Sequence, residues 1–267
     1  MGKVLAINVS KVKGIAKTSV EQVEIVEGWG LKGDAHGGDW DRQVSIFPVE
    51  CLEKVPPEKK EEVLSGGYTE NLTIAGVELS ELAVGNFVSI GEAVIKILHL
   101  GKDEFKEHGR PYIVSREGRF GRVVQGGLVN MGDTVLTYKF NKEDFLKCCQ
   151  EGINTMVQVF LNEKMDPNAT DMYGATALML AARNGHADVV RMLLDKGAGL
   201  NASSHDGITA LMIAAYMGHA LTVKMLLAAG SDPDMRSESG LTALSLAREG
   251  NHEAVIQILE KKRQENS

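Results

Sequence analysis

The chain has 267 residues, 43% of them hydrophobic, and its 29 lysines and arginines against 36 aspartates and glutamates give a formal net charge of −7 at pH 7. This length and composition are typical of a globular protein with room for two cores, so a disordered chain is not expected. Acidic residues outnumber basic ones in both halves, so the electrostatic surface that binds nucleic acid or an anionic membrane is not expected.

The cysteine content indicates a reducing compartment. Only Cys51, Cys148 and Cys149 are present, too few and too clustered for a disulfide framework. The amino terminus alternates like a strand and lacks a long apolar segment, and no window is apolar enough to span a bilayer. These features predict a cytoplasmic protein that binds neither membrane nor nucleic acid.

The first half of the chain, residues 1–139, is predicted to be a mostly-β domain. Short apolar or alternating segments are separated by glycine turns, the pattern of strands joined by tight connections. A short helix is expected after Pro48, and Cys51 falls on it. The predicted strands are Val4–Val9, Val20–Val26, Gln43–Phe47, Asn86–Ile90, Ala93–Leu100 and Thr134–Tyr138.

One stretch in this half, Gly30–Ser45, is dense in glycines and ionisable residues. A strand in a hydrophobic core does not require glycines and ionisable side chains at this density, so Gly30–Ser45 is the candidate functional segment. Asp34, His36, Asp39 and Asp41 could be taken for a metal cluster. Aspartate and glycine are also what turns require, and without ligands elsewhere the sequence favours a polar loop and predicts no metal site.

Four motifs are spread over residues 1–138. They are Gly-Leu-Lys-Gly-Asp-Ala-His-Gly-Gly (30–38), Arg-Gln-Val-Ser (42–45), Glu-Asn-Leu-Thr (70–73) and Arg-Glu-Gly-Arg-Phe (116–120). Together they resemble the MOSC domain, the domain named after the carboxyl-terminal part of molybdenum cofactor sulfurases, and in particular its small stand-alone prokaryotic forms. The resemblance implies a closed or strongly curved β-barrel that binds or delivers molybdenum cofactor, or its sulfur.

The resemblance also implies which residues would contact an anionic pterin. Such a ligand needs backbone N–H groups in glycine turns and the fixed donors of arginine or lysine. Pyridoxal phosphate is not expected to be bound covalently, and the residues do not identify a catalysed reaction. The candidate cofactor-binding residues are Gly33, Asp34, His36, Arg42, Asn71, Lys102, Arg116 and Arg122.

One departure from the MOSC pattern bears on mechanism. Related small proteins carry cysteines just after the Gly-Lys pair, and a thiolate is the natural carrier of sulfane sulfur. Here Gly101-Lys102 is followed by a segment without cysteine, which excludes sulfur transfer there. Two alternatives to cofactor binding therefore stay open: a non-catalytic interaction scaffold with a degenerate MOSC domain, and a sulfurtransferase that uses Cys51.

The second half, residues 140–267, contains an internal repeat of 33 residues. Glycines 174, 207 and 240 each open Gly-x-Thr-Ala-Leu, and histidines 186, 219 and 252 keep the same spacing. This period resembles the ankyrin repeat and predicts an all-α solenoid of two short helices per unit. The predicted units are 141–173, 174–206, 207–239 and 240–267.

The repeat register assigns roles to its recurring residues. Thr176, Thr209 and Thr242 are expected to cap the first helix of each unit, and the three histidines to bond between units. Cys148 and Cys149 align with alanines of the next unit and should be small packed residues. The resemblance implies a protein-docking module whose partner is not readable from the sequence, a molybdoenzyme being the one that the MOSC half suggests.

Overall fold

The computed structural model describes residues 1–11, 17–35, 37–39, 42–54, 57, 60, 71–101 and 118–265. The chain forms two compact units, Met1–Phe140 and Asn141–Ser267. Within the described ranges no helix is both long and apolar enough to cross a membrane.

The first unit is built almost entirely of β-strands. Two short 3₁₀ turns, Val49–Lys54 and Leu79–Leu82, interrupt them, the first at the place where the sequence predicts a short helix after Pro48. The strands are β1 (Gly2–Val9), β2 (Thr18–Val20), β3 (Gln22–Val26), β4 (Gly30–Leu31), β5 (Val44–Pro48), β6 (Leu72–Ala75), β7 (Phe87–Ile90), β8 (Ala93–Leu100), β9 (Arg119–Gln125), β10 (Gly127–Asn130) and β11 (Thr134–Tyr138).

Seven of the described strands close into a barrel in the order β11-β7-β8-β9-β5-β6-β1, with β1 also paired to β11. The closing contacts are antiparallel, Gly2 opposite Val135 and Lys3 opposite Thr134. All neighbours are antiparallel except β5 and β6. Strand β2 extends the sheet from β1, and β10, β3 and β4 form a separate three-stranded sheet. The prediction of a mostly-β domain is therefore confirmed.

Side chains alternate in direction along each strand, and those that point inward fill the barrel with aliphatic groups. Ile7, Ile46, Leu72 and Ile95 come from four different strands and are completely buried in one hydrophobic cluster. Burial of each such side chain stabilises the fold by about 1.5–3 kcal/mol. The barrel is thus a packed core, and polar chemistry is confined to its ends and loops.

The second unit consists of four helix pairs at the predicted period. The first helices of successive pairs pack on one another, as do the second helices, so each pair covers the apolar faces of its neighbour. Helical repeats after the barrel agree with the predicted solenoid. The helices are α1 (Lys142–Glu151), α2 (Asn154–Asn162), α3 (Ala177–Arg183), α4 (Ala187–Asp195), α5 (Ala210–Tyr216), α6 (Ala220–Ala228), α7 (Ala243–Glu249) and α8 (Glu253–Glu265).

The predicted threonine caps are confirmed. The side chains of Thr176, Thr209 and Thr242 each accept a hydrogen bond from the backbone N–H three residues later. Each cap satisfies one of the amide groups that the first turn of a helix leaves without a partner. Threonine therefore recurs at this position in the second, third and fourth units, and Asn141 caps α1 of the first unit in the same way.

The three histidines bond between units, as the sequence predicts. Nε2 of His186, His219 and His252 lies 3.0, 3.0 and 2.8 Å from a backbone carbonyl oxygen of the preceding unit. Each imidazole also covers a glycine with positive φ in that unit, where a Cβ atom would come within 2.5–2.7 Å of the ring nitrogen. We call this series of contacts the histidine ladder.

The second unit offers a matched pair of buried threonines. Thr209 caps α5, whereas the hydroxyl of Thr222 has no hydrogen-bond partner among the described residues. Thr209→Val should lower the free energy of unfolding by about 1 kcal/mol because a cap is lost. Thr222→Val should be neutral or stabilising because it removes a buried hydroxyl without a partner. Denaturation followed by far-ultraviolet circular dichroism measures both, and equal effects would contradict the cap's role.

Candidate functional site

The predicted glycine-rich segment folds back on the barrel through a buried aspartate. Asp34 follows β4 and is 8% exposed. Its Oδ2 accepts hydrogen bonds from the backbone N–H of Ser10 and from the side-chain amide of Asn71, both at 3.0 Å. The preceding Gly33 has φ +81°, a left-handed conformation that glycine adopts without strain. The turn at Gly33 therefore directs the Asp34 carboxylate inward.

Asn71 joins this carboxylate to a second motif. Its Oδ1 accepts from both the backbone N–H and the hydroxyl of Ser45, at 3.2 and 2.8 Å, and its own backbone N–H donates to Ser45 Oγ at 2.9 Å. Its amide nitrogen also donates to the carbonyl oxygen of Asn8 at 3.3 Å. We call Asn8, Ser10, Asp34, Ser45 and Asn71 the polar network; it connects three of the four MOSC-like motifs.

Arg42 and Phe120 bring in the fourth motif. The guanidinium carbon of Arg42 lies 5.7 Å from the centroid of the Phe120 ring, within range of a cation–π interaction. Phe120 lies on β9 directly opposite Ser45 of β5, so this contact sits next to the polar network. Arg122, also on β9, is exposed, whereas Arg119 is 6% exposed. Two of the predicted cations, Arg42 and Arg122, are thus on or beside neighbouring strands.

The side chain of Gln43 fixes the carboxyl-terminal part of the segment Gly30–Ser45. The Gln43 side chain donates to the carbonyl oxygen of Gly28 at 2.6 Å and accepts from the backbone N–H of Val123 at 2.9 Å. Gly30 packs so closely on this strand that a Cβ atom would lie 2.5 Å from the Gln43 carbonyl oxygen. Trp29 is held between these two glycines and is 51% exposed.

The structure brings together some of the predicted site residues. Gly33, Asp34, Arg42 and Asn71 belong to the same end of the barrel through the contacts above, and their assignment as ligand contacts stays a prediction. His36, Lys102 and Arg116 lie outside the described residues. Sequence reasoning did not select Ser10, Ser45 or Phe120, although Ser45 and Phe120 end two of the quoted motifs.

The hydrogen-bond donors at this end of the barrel can be compared with what a molybdenum cofactor requires. Arginine side chains and a glycine-rich backbone suit its phosphate and pterin. In the described part of the chain no three His, Cys, Asp or Glu side chains are grouped so as to hold a metal ion. The described residues thus include donors suited to an anion and no three-residue cluster for a metal, and binding of the cofactor stays a prediction.

The three thiols are all buried. Cys51 is 0% exposed, and Cys148 and Cys149 are at most 1% exposed, as expected for the small packed residues that the repeat register predicts. Burial, with smaller contributions from Asp144 and Glu151, raises the pKa of Cys148 to about 12, and burial raises the pKa of Cys149 further. A buried thiol is poorly placed for attack, and the raised pKa keeps Cys148 and Cys149 protonated as well, so the geometry favours structural roles.

The repeats present a second candidate site at the tips of their hairpins. Met172 and Tyr173, at the first tip, are 80% and 68% exposed. Successive tips are joined by backbone hydrogen bonds, from His205 N to Tyr173 O at 3.2 Å and from Glu238 N to Asp206 O at 3.0 Å. Two large apolar side chains thus stand in solvent on a backbone that is held in place.

Comparison with known proteins identifies the repeats of the second unit, with a match that begins at the last strands of the first. A family model described as ankyrin repeats (3 copies) matches residues 128–204, 145–237 and 198–267, together more than half of the chain. The family models gave no match to a MOSC domain, so that resemblance stays a prediction. No curated protein matches the chain.

The polar network should be essential for the stability of the barrel. Asp34→Ala removes the acceptor of two buried donors, which should cost about 3 kcal/mol. Asp39→Ala, in the same segment but exposed, is the matched control and should change stability by less than about 0.5 kcal/mol. Both tryptophans, Trp29 and Trp40, lie in the first unit, so tryptophan fluorescence during denaturation reports on the barrel. Equal stability of the two variants would contradict this role.

Proposed function

The chain belongs to the ankyrin-repeat family, whose members typically bind other proteins, and on that premise we propose that its second unit recruits a protein partner to the ligand-binding barrel. The observation that carries the docking role is the exposure of large apolar side chains on a rigid stack of four units. Exposed apolar groups on a rigid backbone suit binding because little conformational entropy is lost on association.

For the barrel, the same proposal assigns binding of molybdenum cofactor or a related anionic pterin. The convergence of four MOSC-like motifs on the polar network and the Arg42–Phe120 contact favours it. Motifs that are separate in sequence and adjacent in space are what a ligand site requires. The polar network positions the loop, and Arg42, beside that loop, is the described residue best placed to hold an anion.

The described residues divide the work of binding without any bond being made or broken. The guanidinium of Arg42 offers paired N–H donors that match a phosphate, and the Phe120 ring orients it. Asp34 and Asn71 use their hydrogen-bonding capacity within the protein and so act as positioning residues. When bound, the cofactor would supply the molybdenum and its sulfur; the chain would supply orientation and delivery.

The two alternatives make different demands on the same residues. A degenerate barrel that serves only as a scaffold needs the polar network for folding and has no use for Arg42 in binding. A sulfurtransferase would need Cys51 to reach solvent, and that side chain is completely buried. The burial favours the non-covalent proposal over Cys51 chemistry.

The docking proposal predicts that partner capture depends on the hairpin tips. Full-length protein carrying Met172→Ser and Tyr173→Ser should lose at least one protein that the unmodified chain captures from its native lysate, about 30-fold for a hot-spot contact. The matched control is Leu128→Ser with Met131→Ser, which alters two exposed apolar residues of the first unit. Quantitative mass spectrometry compares the sets, and identical sets for all three proteins would contradict docking at the tips.

The ligand proposal predicts that Arg42→Ala weakens binding of molybdenum cofactor to the full-length chain at least tenfold, because a charge-assisted contact is worth about 1.5–3 kcal/mol. The control is Arg191→Ala, an exposed arginine on α4. Equilibrium binding under anaerobic conditions gives the affinities, and tryptophan fluorescence checks that the barrel is folded. Unchanged affinity in Arg42→Ala would remove this residue from the site.

A further inference from the structure

The turn between α5 and α6 in the third unit is apolar and open to solvent. Tyr216, Met217 and Leu221 are 47%, 42% and 63% exposed, and all three lie within six residues of one another. We call them the apolar loop surface. Clusters of exposed large apolar residues mark interaction sites more often than isolated ones.

The other units show that folding does not require apolar residues at these positions. At the same register the first unit has Gln150, Glu151 and Thr155, the second Arg183, Asn184 and Asp188, and the fourth Glu249, Gly250 and Ala254. All four units have the same helix–turn–helix structure. The apolar character of the third unit is therefore a local feature that the packing of the repeat does not explain.

The histidine ladder fixes what lies on either side of this surface. His219 bonds to the carbonyl oxygen of Arg183 at 3.0 Å, and His252 bonds to that of Tyr216 at 2.8 Å. Residues 183, 216 and 249 consequently occupy equivalent places on three consecutive first helices. Arg183 and Glu249 are both exposed, and neither forms an ion pair within the part of the second unit that is described, residues 141–265. The apolar loop surface thus stands between a positive and a negative side chain.

We propose that the apolar loop surface binds an extended segment of a partner protein that carries one aromatic or long aliphatic residue between an acidic and a basic residue. The anchor residue packs on Tyr216, Met217 and Leu221, the acidic residue pairs with Arg183, and the basic residue pairs with Glu249. This inference rests on the proposed docking function and names the chemistry of the partner.

The spacing of the charges in the partner follows from the geometry of the stack. Neighbouring packed helices lie about 8–10 Å apart, and an extended chain advances about 3.3 Å per residue. One step along the repeat therefore corresponds to about three residues. The partner segment should carry its acidic residue about three positions to one side of the anchor and its basic residue about three positions to the other.

Selection from a displayed library of random peptides, with the full-length chain as bait, tests this inference. We expect enriched peptides with the acidic–apolar–basic order and spacing. Their affinity should fall about 30-fold in the variant Tyr216→Arg, Met217→Asn, Leu221→Asp, which carries the residues of the second unit at the same register. The Leu128→Ser, Met131→Ser protein is the matched control and should keep the affinity, since its changes alter exposed apolar residues of the first unit.

A charge exchange tests the orientation independently. The double variant Arg183→Glu, Glu249→Arg exchanges the two charges that flank the apolar loop surface. Peptides enriched by this variant should carry the acidic and basic residues in the opposite order around the anchor from peptides enriched by the unmodified chain. Far-ultraviolet circular dichroism establishes that each variant is folded. Enrichment without this charge order, or with an order that the exchange leaves unchanged, would overturn the proposal.

Two further outcomes separate this inference from the docking function itself. A concentration-dependent dimer that is lost in the triple variant would assign the apolar loop surface to a second copy of the chain and overturn a peptide partner. If lysate proteins still depend on the hairpin tips while no peptide selects the apolar loop surface, the inference fails and the docking function stands. Loss of tip-dependent capture with the peptide pattern intact would remove the hairpin tips from the docking site and support the inference, because docking would then use the apolar loop surface.

Discussion

The buried side-chain amide of Asn71 has to find its hydrogen bonds inside the protein, and this requirement organises one end of the barrel. Its oxygen accepts from Ser45 and its nitrogen donates to Asp34 and to the carbonyl of Asn8. A buried amide left without partners would cost several kcal/mol. Three segments far apart in sequence are therefore joined at this end of the barrel, and Arg42 belongs to the same segment as Asp34 and Ser45.

The same requirement is met differently in the second unit. There the polar groups are satisfied by contacts that recur with the repeat, a threonine or, in the first unit, an asparagine at the start of each first helix, and a histidine across each junction. Because these bonds are internal to the stack, the side chains of Arg183, Tyr216 and Glu249 face solvent and take no part in them. They are free to vary from unit to unit, and the difference between Arg183, Tyr216 and Glu249 is of that kind.

Periodicity made the second unit predictable in detail, since a repeat of 33 residues fixes helix number, caps and junction contacts together. The strands of the barrel were harder to predict from the sequence. Strand β6 has only four residues, and β9 begins with a charged and glycine-containing sequence that suggests a loop; pairing with neighbours makes both into strands. The network role of Ser45 was equally hidden, because its partner Asn71 is 26 residues away and only closure of the sheet brings them together.

The histidine ladder has a consequence for how such a chain can change in evolution. Each junction uses the same histidine bond and the same glycine contact, so these contacts tie the junctions to the 33-residue period. Insertion or deletion of a whole unit keeps these contacts in register. Insertion or deletion of only a few residues would move a histidine away from its glycine and break the contact at that junction. The number of repeats thus changes one whole unit at a time. The proposed docking surface can lengthen or shorten by one unit while the neighbouring units keep their sequences.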